Sequence, residues 1–255
     1  MNLTKNQEKL IRSLGSRKGV RKSGMCLCEG ARACAELLAA APELVEFGVA
    51  IEGTEIPAEL AAAEFAMVPP AKFDALSATV NSQGIMLVAK LPPPLESPPD
   101  DSFILVLDRV SDPGNMGSIL RSARSAGLKT VYLTAGSTDP FGCKAIRSGV
   151  AAQFALDIRH AESLGDAVRA IRGFGYGGDV WRAEPRGGEP LFEAEGLFDG
   201  SIVAIGGETA GVAGLPRAKS VTIPMPGRFE SLNAAQAATV ILFESVRRKR
   251  PGAKR

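Results

Sequence analysis

The sequence is poor in the residues on which much enzyme chemistry depends. Among its 255 residues there is one histidine, His160. No H-E-x-x-H zinc helix can be built from it. A Ser-His-Asp triad would have to recruit His160 from the polar stretch IRHAESLGD, where it reads as a solvated residue at the entry to a helix. Cysteine is almost as scarce, with only Cys26, Cys28, Cys34 and Cys143. Their C-x-C-x5-C spacing has no fourth ligand nearby, so small buried or half-exposed thiols are expected and no metal site is. Without an export signal, a disulfide framework is not expected either. Long apolar runs are missing: stretches such as Phe103–Leu107 fall far short of the roughly 20 residues that span a bilayer. The opening MNLTKNQEKLIRSLG has basic residues but no apolar signal region, so the expectation is a cytoplasmic protein with no membrane partner. There is no G-x-x-x-x-G-K-[ST], which excludes a P-loop NTPase.

What is present begins with charge. The 30 Lys+Arg nearly cancel the 28 Asp+Glu, leaving a formal net charge of +2. That sum hides a split. Residues 1–32 carry eight basic side chains against Glu8 and Glu29, and residues 247–255 carry six with no acid. The body between them is acidic, so the two ends point to a polyanionic partner. An apolar content of 45% with 23% charged residues marks a folded chain.

The clearest boundary is LPPPLESPPDDS, residues 91–102, where five of the eight residues from Pro92 to Pro99 are proline. Proline cannot donate to a helix or a central strand, so this is an extended spacer. It divides the chain into a domain over 1–91, a linker over 92–102 and a domain over 103–255. The first mixes helix and strand. A helix is predicted over Asn2–Leu14, then a basic turn GSRKGVRKSG, a strand at Met25–Cys28, a helix over Gly30–Ala41 and a strand near Phe47–Ile51. Helices near Pro57–Phe65 and Ala71–Ser77 and a closing strand at Ile85–Lys90 complete it.

The second domain alternates more cleanly. Strands are predicted at Phe103–Asp108, Thr130–Thr134, Phe154–Ile158, Tyr176–Arg182, Ser201–Gly206 and Val221–Ile223. Helices are predicted over Asn115–Ala126 (capped by Asn115), Lys144–Val150, Glu162–Arg172 and from about Ser231 into the basic tail. Alternating strands and helices imply an α/β fold with a mainly parallel sheet, whose ligands bind at the carboxyl ends of the strands. Gly173-Phe-Gly175-Tyr-Gly177-Gly178 fits G-x-G-x-x-G but follows a helix and precedes a strand, so it reads as a helix stop rather than a dinucleotide site.

Three segments sit at predicted strand ends, and each has an ordinary reading when taken singly. In LDRVSDPGNMGSILRSARSAG, Arg121, Arg124 and Ser125 lie off an apolar stripe and could form a solvated basic face. In IVAIGGETAG, Gly206 and Gly207 could let the backbone approach a ligand, or simply turn. In VTIPMPGRFESLNAAQ, Ser231 could be a plain helix cap.

Together, and in this order, they resemble the motifs of the SpoU/TrmH-type RNA 2′-O-ribose methyltransferases of the SPOUT superfamily. The match runs through Asn115-x-Gly117-x-x-x-Arg121, Gly206-x-Glu208 and Pro224-Met225-x-Gly227-x-x-x-Ser231-Leu232-Asn233. Asp139-Pro140-Phe141 and Lys144 to Gly149 are similar to family sequence as well, and residues 5–90 resemble its N-terminal, ribosomal-protein-like RNA-binding domain. Gly207 stands where Asn, Ala or Ser is frequent, and Thr209 where Gly is common.

The resemblance implies S-adenosylmethionine as cofactor, held by Gly206, Gly207, Ile223, Met225, Leu232 and Thr134. It implies Arg121 as the catalytic arginine, with Asn115, Glu208, Ser231 and Asn233 completing the pocket. It further implies RNA contacts from Arg12, Arg17, Lys18, Arg21, Lys22, Lys144 and Arg147, a trefoil-knotted fold, and a homodimer sharing its sites. Ribosomal RNA is the favoured substrate. A tRNA methyltransferase, or a non-catalytic RNA-binding or ribosome-assembly protein on this fold, are the alternatives. A sulfonium donor is already activated, so methyl transfer needs mainly orientation and help with one proton, and the scarcity of histidine is no obstacle. An arginine is a poor general base, so Arg121 either is unusually activated or polarises the hydroxyl while another group takes the proton.

Overall fold

The computed structural model describes residues 2–95, 97–207, 211–227 and 231–249. The chain divides into two units. One comprises Met1–Pro93 with Asp139–Ala155, the other Pro94–Thr138 with Leu156–Arg255.

The first unit opens on α1 (Lys5–Leu14), where Thr4 and Gln7 cap each other's backbone amides. The basic turn expected next is instead a helix, α2 (Arg17–Ser23), capped by the Ser16 hydroxyl accepting from Gly19 N at 3.1 Å. Glycine 19 disguises it. A Cβ there would lie 1.8 Å from the Ser13 carbonyl oxygen, so close packing rather than a turn demands the glycine. Then come β1 (Met25–Glu29), α3 (Ala31–Ala40), β2 (Val45–Ile51), β3 (Phe65–Val68), α4 (Pro70–Asp74) and β4 (Ile85–Lys90). The helix expected near Pro57–Phe65 shrinks to one 3-10 turn at Ala58–Leu60. Phe65 starts β3, which pairs in parallel with β2. The sheet order is β1-β4-β2-β3, with β4 antiparallel to both neighbours. Alternation splits the core: Cys26, Cys28, Leu87 and Ala89 pack under α3, while Leu27, Met86 and Val88 meet Ile11, Leu14, Val20 and Phe73.

The second unit begins with β5 (Phe103–Asp108), α5 (Pro113–Ser125) and β6 (Thr130–Thr134). All six residues of β5 are buried, as befits a central parallel strand. Asp112, not Asn115, caps α5, its carboxylate accepting from Asn115 N at 2.8 Å. The chain then supplies Asp139–Ala155, including α6 (Cys143–Gly149), to the first unit. There Ile146, Ala151 and Phe154 complete the cluster beneath α3.

A 3-10 turn at Ala152–Ala155 replaces the start of the expected strand, which forms three residues later as β7 (Asp157–Ala161). His160 lies exposed on this strand opposite Leu133, not at a helix entry. Beyond it follow α7 (Leu164–Gly173), β8 (Val180–Ala183), β9 (Glu189–Pro190), β10 (Ser201–Gly206), β11 (Lys219–Thr222) and α8 (Ala234–Lys249). The strand expected from Tyr176 starts only at Val180. Tyr176 instead donates its hydroxyl to the Asp101 carbonyl at 2.8 Å. The seven strands are all parallel, in the order β7-β6-β5-β10-β8-β11-β9.

Helices α5 and α8 pack together, with Ser122 Oγ and Thr239 Oγ1 2.7 Å apart. The basic end of α8 is partly structural. Buried Glu244 accepts from both Arg247 and Arg248 at 2.7 Å, and Arg248 also donates to the Ala194 and Leu191 carbonyls. Those two guanidinium groups hold the Glu244 carboxyl below the usual carboxylate range.

Candidate functional site

The carboxyl ends of β8, β10 and β11 enclose a cavity of about 400 Å3. Ala183 ends β8 and Glu184 and Pro185 follow it, Gly206 ends β10 and Gly207 follows it, and Ile223 and Met225 follow β11. Ser231, Leu232 and Asn233 close it at the entry to α8, with Ala237 and Ile241 behind. This is where a parallel sheet is expected to hold a ligand.

The paired glycines have a sharper reason than open access. A Cβ on Gly206 would stand 2.1 Å from the Gly211 carbonyl carbon, and one on Gly207 would stand 2.4 Å from the Arg109 carbonyl oxygen. Backbone packs on backbone here, so no flexible side chain can yield. Asp108, only 2% exposed at the end of β5, ties this corner together. It accepts from Thr134 Oγ1 and Ala213 N, both at 2.7 Å, and from Arg109 at 3.3 Å. Arg109 itself holds a left-handed φ of 56° and has a Gly207 neighbour that only glycine's small size permits.

Of the residues singled out in the sequence, Gly206, Gly207, Ile223, Met225, Ser231, Leu232 and Asn233 all line the cavity. Thr134 stands apart from the wall, buried, with its hydroxyl committed to Asp108. Glu208 lies outside the described residues. Asn233 caps α8, accepting from Ala235 N at 2.9 Å, and donates to Asn115 Oδ1 at 2.9 Å. The first and third motifs are thereby joined, and Ser231 is not the cap. Arg121 is exposed on α5, off the cavity wall, and forms no ion pair among the described residues. Arg12, Arg17, Lys18, Arg21, Lys22, Lys144 and Arg147 are all exposed in the first unit; four of them share one face of α2 opposite buried Val20.

Sequence reasoning passed over Asp108 and Glu184. Asp108 could have been noticed as a lone charge closing an otherwise apolar strand.

Cys26, Cys28 and Cys34 are buried and Cys143 half-buried. Burial pushes the Cys26 thiol up, a hydrogen bond with Cys34 and burial do the same to Cys28, and Cys143 rises to about 11 on desolvation. Such thiols are poor nucleophiles and poor ligands. Among the described residues no group of three or more His, Cys, Asp or Glu is placed to hold a metal ion, and no helix is long and apolar enough to cross a membrane.

Comparison with known proteins meets this geometry at both units. The family model described as the SpoU rRNA methylase family matches residues 102–243. The chain belongs to the SpoU rRNA methylase family. A second model, described as RNA 2′-O ribose methyltransferase substrate binding, matches residues 27–95. Among its relatives, the 23S rRNA (guanosine(2553)-2′-O)-methyltransferase RlmP of Bacillus subtilis is 30% identical over 246 residues, covering 94% of this chain and 96% of that one. The crystal structure of the SpoU methyltransferase AviRb from Streptomyces viridochromogenes with AdoMet superposes at a TM-score of 0.78 and 26% identity, covering 95% and 98%. An AdoMet-bound rRNA methyltransferase from Sinorhizobium meliloti gives a TM-score of 0.80 at 25% identity, covering 98% of both chains. SpoU membership thus accounts for the parallel sheet and the smaller N-terminal α/β unit.

Proposed function

We propose that this chain transfers a methyl group from S-adenosylmethionine to a ribose 2′-hydroxyl of ribosomal RNA. The observation that carries the reading is the cavity itself, walled by the residues of the second and third motifs. Its volume of about 400 Å3 and its Ile205, Val221, Ile223 and Ile241 side chains suit an adenosyl group, with backbone groups at the strand ends and Glu184 available for the polar end. S-adenosylmethionine supplies a methyl group already activated on a sulfonium.

The protein's part is orientation and proton management. The Asn115–Asn233 bond fixes α5 against the entry of α8, so that Ser231 and Leu232 are presented on the wall. Arg121, as a permanent cation, polarises the ribose hydroxyl and positions the adjoining phosphate. Its exposure away from the cavity of its own chain supports a homodimer in which Arg121 serves the partner's cavity. Phe243, 46% exposed on α8, adds apolar surface to the helix that packs on α5.

The reading includes a trefoil knot. Support comes from the path of the chain: α8 follows β11 yet packs on α5, so it doubles back past β8 and β10. A cytoplasmic location is consistent with an rRNA substrate.

Mapping ribose methylation in total RNA by mass spectrometry, with and without the gene, tests the substrate; loss of one rRNA mark is expected, and loss of a tRNA mark instead would overturn it. Arg121→Ala should retain cofactor binding and lose about 10^3-fold in transfer. Mixing it with Gly206→Ala should restore part of the activity if sites are shared.

A further inference from the structure

A second cavity, of about 230 Å3, lies wholly within the first unit. Three segments far apart in sequence build it: Glu29–Ala33 at the β1–α3 junction, the loop Thr79–Gln83, and Arg147 with Val150 from the Asp139–Ala155 segment. Its lining mixes Gly30, Ala33 and Val150 with polar side chains, and the polar groups are ordered. Glu29, 5% exposed, forms the floor and has both carboxylate oxygens engaged: Ala78 N donates to one at 2.8 Å and Thr79 Oγ1 to the other at 2.5 Å. Arg147 donates to that same Thr79 hydroxyl, so a relay from Arg147 through Thr79 to Glu29 holds the guanidinium at the cavity wall. Gln83 fixes the other side, accepting from Ala31 N at 2.9 Å. Arg32 is exposed on the wall and makes no ion pair among the described residues.

We propose that this cavity binds one backbone phosphate of the RNA, with Arg32 and Arg147 as its ligands. Charge supports the choice of ligand. Two guanidinium groups against one carboxylate leave a net of one positive charge, which matches the single negative charge of a phosphodiester. Geometry supports it as well. Both carboxylate oxygens accept from the protein's own loop, which offsets part of the repulsion between Glu29 and a bound anion. Gly30, at φ 99°, offers α3 no side-chain cap, and with Ala31 taken by Gln83 the Arg32 and Ala33 amides remain as further donors. Val80, 99% exposed between Thr79 and Asn81, provides an apolar contact beside the site for the attached nucleoside. Preorganisation by the relay lowers the ordering cost that long arginine side chains otherwise incur on binding. The inference rests on the reading that RNA is the substrate, and it places one specific grip in the first unit, apart from the basic face of α2.

The test is the salt dependence of binding. A fluorescently labelled transcript of large-subunit rRNA is titrated with the full-length protein over a KCl series. Each lost phosphate contact flattens the slope of log K against log[KCl] by about 1. Arg32→Ala and Arg147→Ala should each do so and weaken binding at the lowest salt by about tenfold. S-adenosylmethionine affinity, measured by calorimetry, should not move in either variant. Arg32 is exposed and makes no side-chain hydrogen bond or ion pair among the described residues, so Arg32→Ala decides the matter even if Arg147→Ala proves unstable. A wild-type slope in Arg32→Ala overturns the proposal. The two readings fail separately: a flattened slope without any RNA methylation leaves the phosphate site and removes the methyltransferase reading, whereas methylation with an unchanged slope does the reverse.

Discussion

The two cavities are made in opposite ways. In the second unit the wall is largely backbone and apolar side chains at the ends of parallel strands, and its shape depends on Gly206 and Gly207, where an added Cβ would stand only 2.1–2.4 Å from other backbone. In the first unit the polar part of the wall is made of side chains held by one another, from Arg147 through Thr79 to Glu29. A backbone wall is rigid and intolerant of a single methyl group. A side-chain wall tolerates small changes in volume but not the loss of a hydrogen-bonding partner.

Substituting one glycine in each unit tests that difference most severely. Gly206→Ala should raise the dissociation constant for S-adenosylmethionine at least 100-fold, about 3 kcal/mol, because nothing nearby can move. In Gly30→Ala the new Cβ meets only the Gln83 side chain, at 3.1 Å, so the cost is the positive φ, about 2 kcal/mol of stability, with cofactor binding intact. Equal damage to cofactor binding in both variants would break the comparison.

Nature has also labelled the units separately. All four cysteines fall in the first unit and the single tryptophan, Trp181, in the second. In urea, thiol exposure and tryptophan fluorescence therefore report different units. S-adenosylmethionine at 100 times its dissociation constant should stabilise the Trp181 transition by about 2.7 kcal/mol and leave the thiol transition in place.

The smallest expected effect concerns acid. Because Arg247 and Arg248 depress the folded-state value of Glu244, its contribution is present in full above the unfolded carboxylate range, about 4.3, and is lost as pH falls through the lower folded value. Glu244→Gln should cost about 1.5 kcal/mol at pH 7 and flatten the acid limb of the Trp181 transition, with thiol exposure unaffected.

Legibility in the sequence follows the same division. Phe103–Asp108, Thr130–Thr134 and Ser201–Gly206 were readable to the residue, since fully buried parallel strands are unbroken apolar runs bounded by polar residues. The part of the larger cavity's wall that comes from Gly206, Gly207, Ile223, Met225 and Ser231 to Asn233 was readable too, because those motifs are contiguous, whereas Glu184 after β8 carries no motif. Long-range pairing hid the rest. The Ala-rich run before Phe65 has helical propensity, yet Phe65–Val68 gains more by pairing with β2. Gly19 disguised α2. The smaller cavity was illegible because its parts come from three distant segments and only the fold assembles them. Asp112 and Asn233 took the caps expected of Asn115 and Ser231, a matter of helix starts that local sequence leaves open by a few residues.

The supply of Asp139–Ala155 to the first unit has a consequence for how the protein is born. The chain leaves the ribosome from its N-terminus, and the cluster under α3 lacks Ile146, Ala151 and Phe154 until residue 155 has been made. Closing that core means bridging residues 94–138, a loop whose entropic cost grows only slowly with its length. The first unit therefore cannot finish folding until β5, α5 and β6 of the second have been synthesised, and it is complete in sequence while Leu156–Arg255 is still to be made. A gene cut at the proline-rich segment would yield an N-terminal fragment with an open core, and the two halves of this enzyme are inherited, expressed and matured as one.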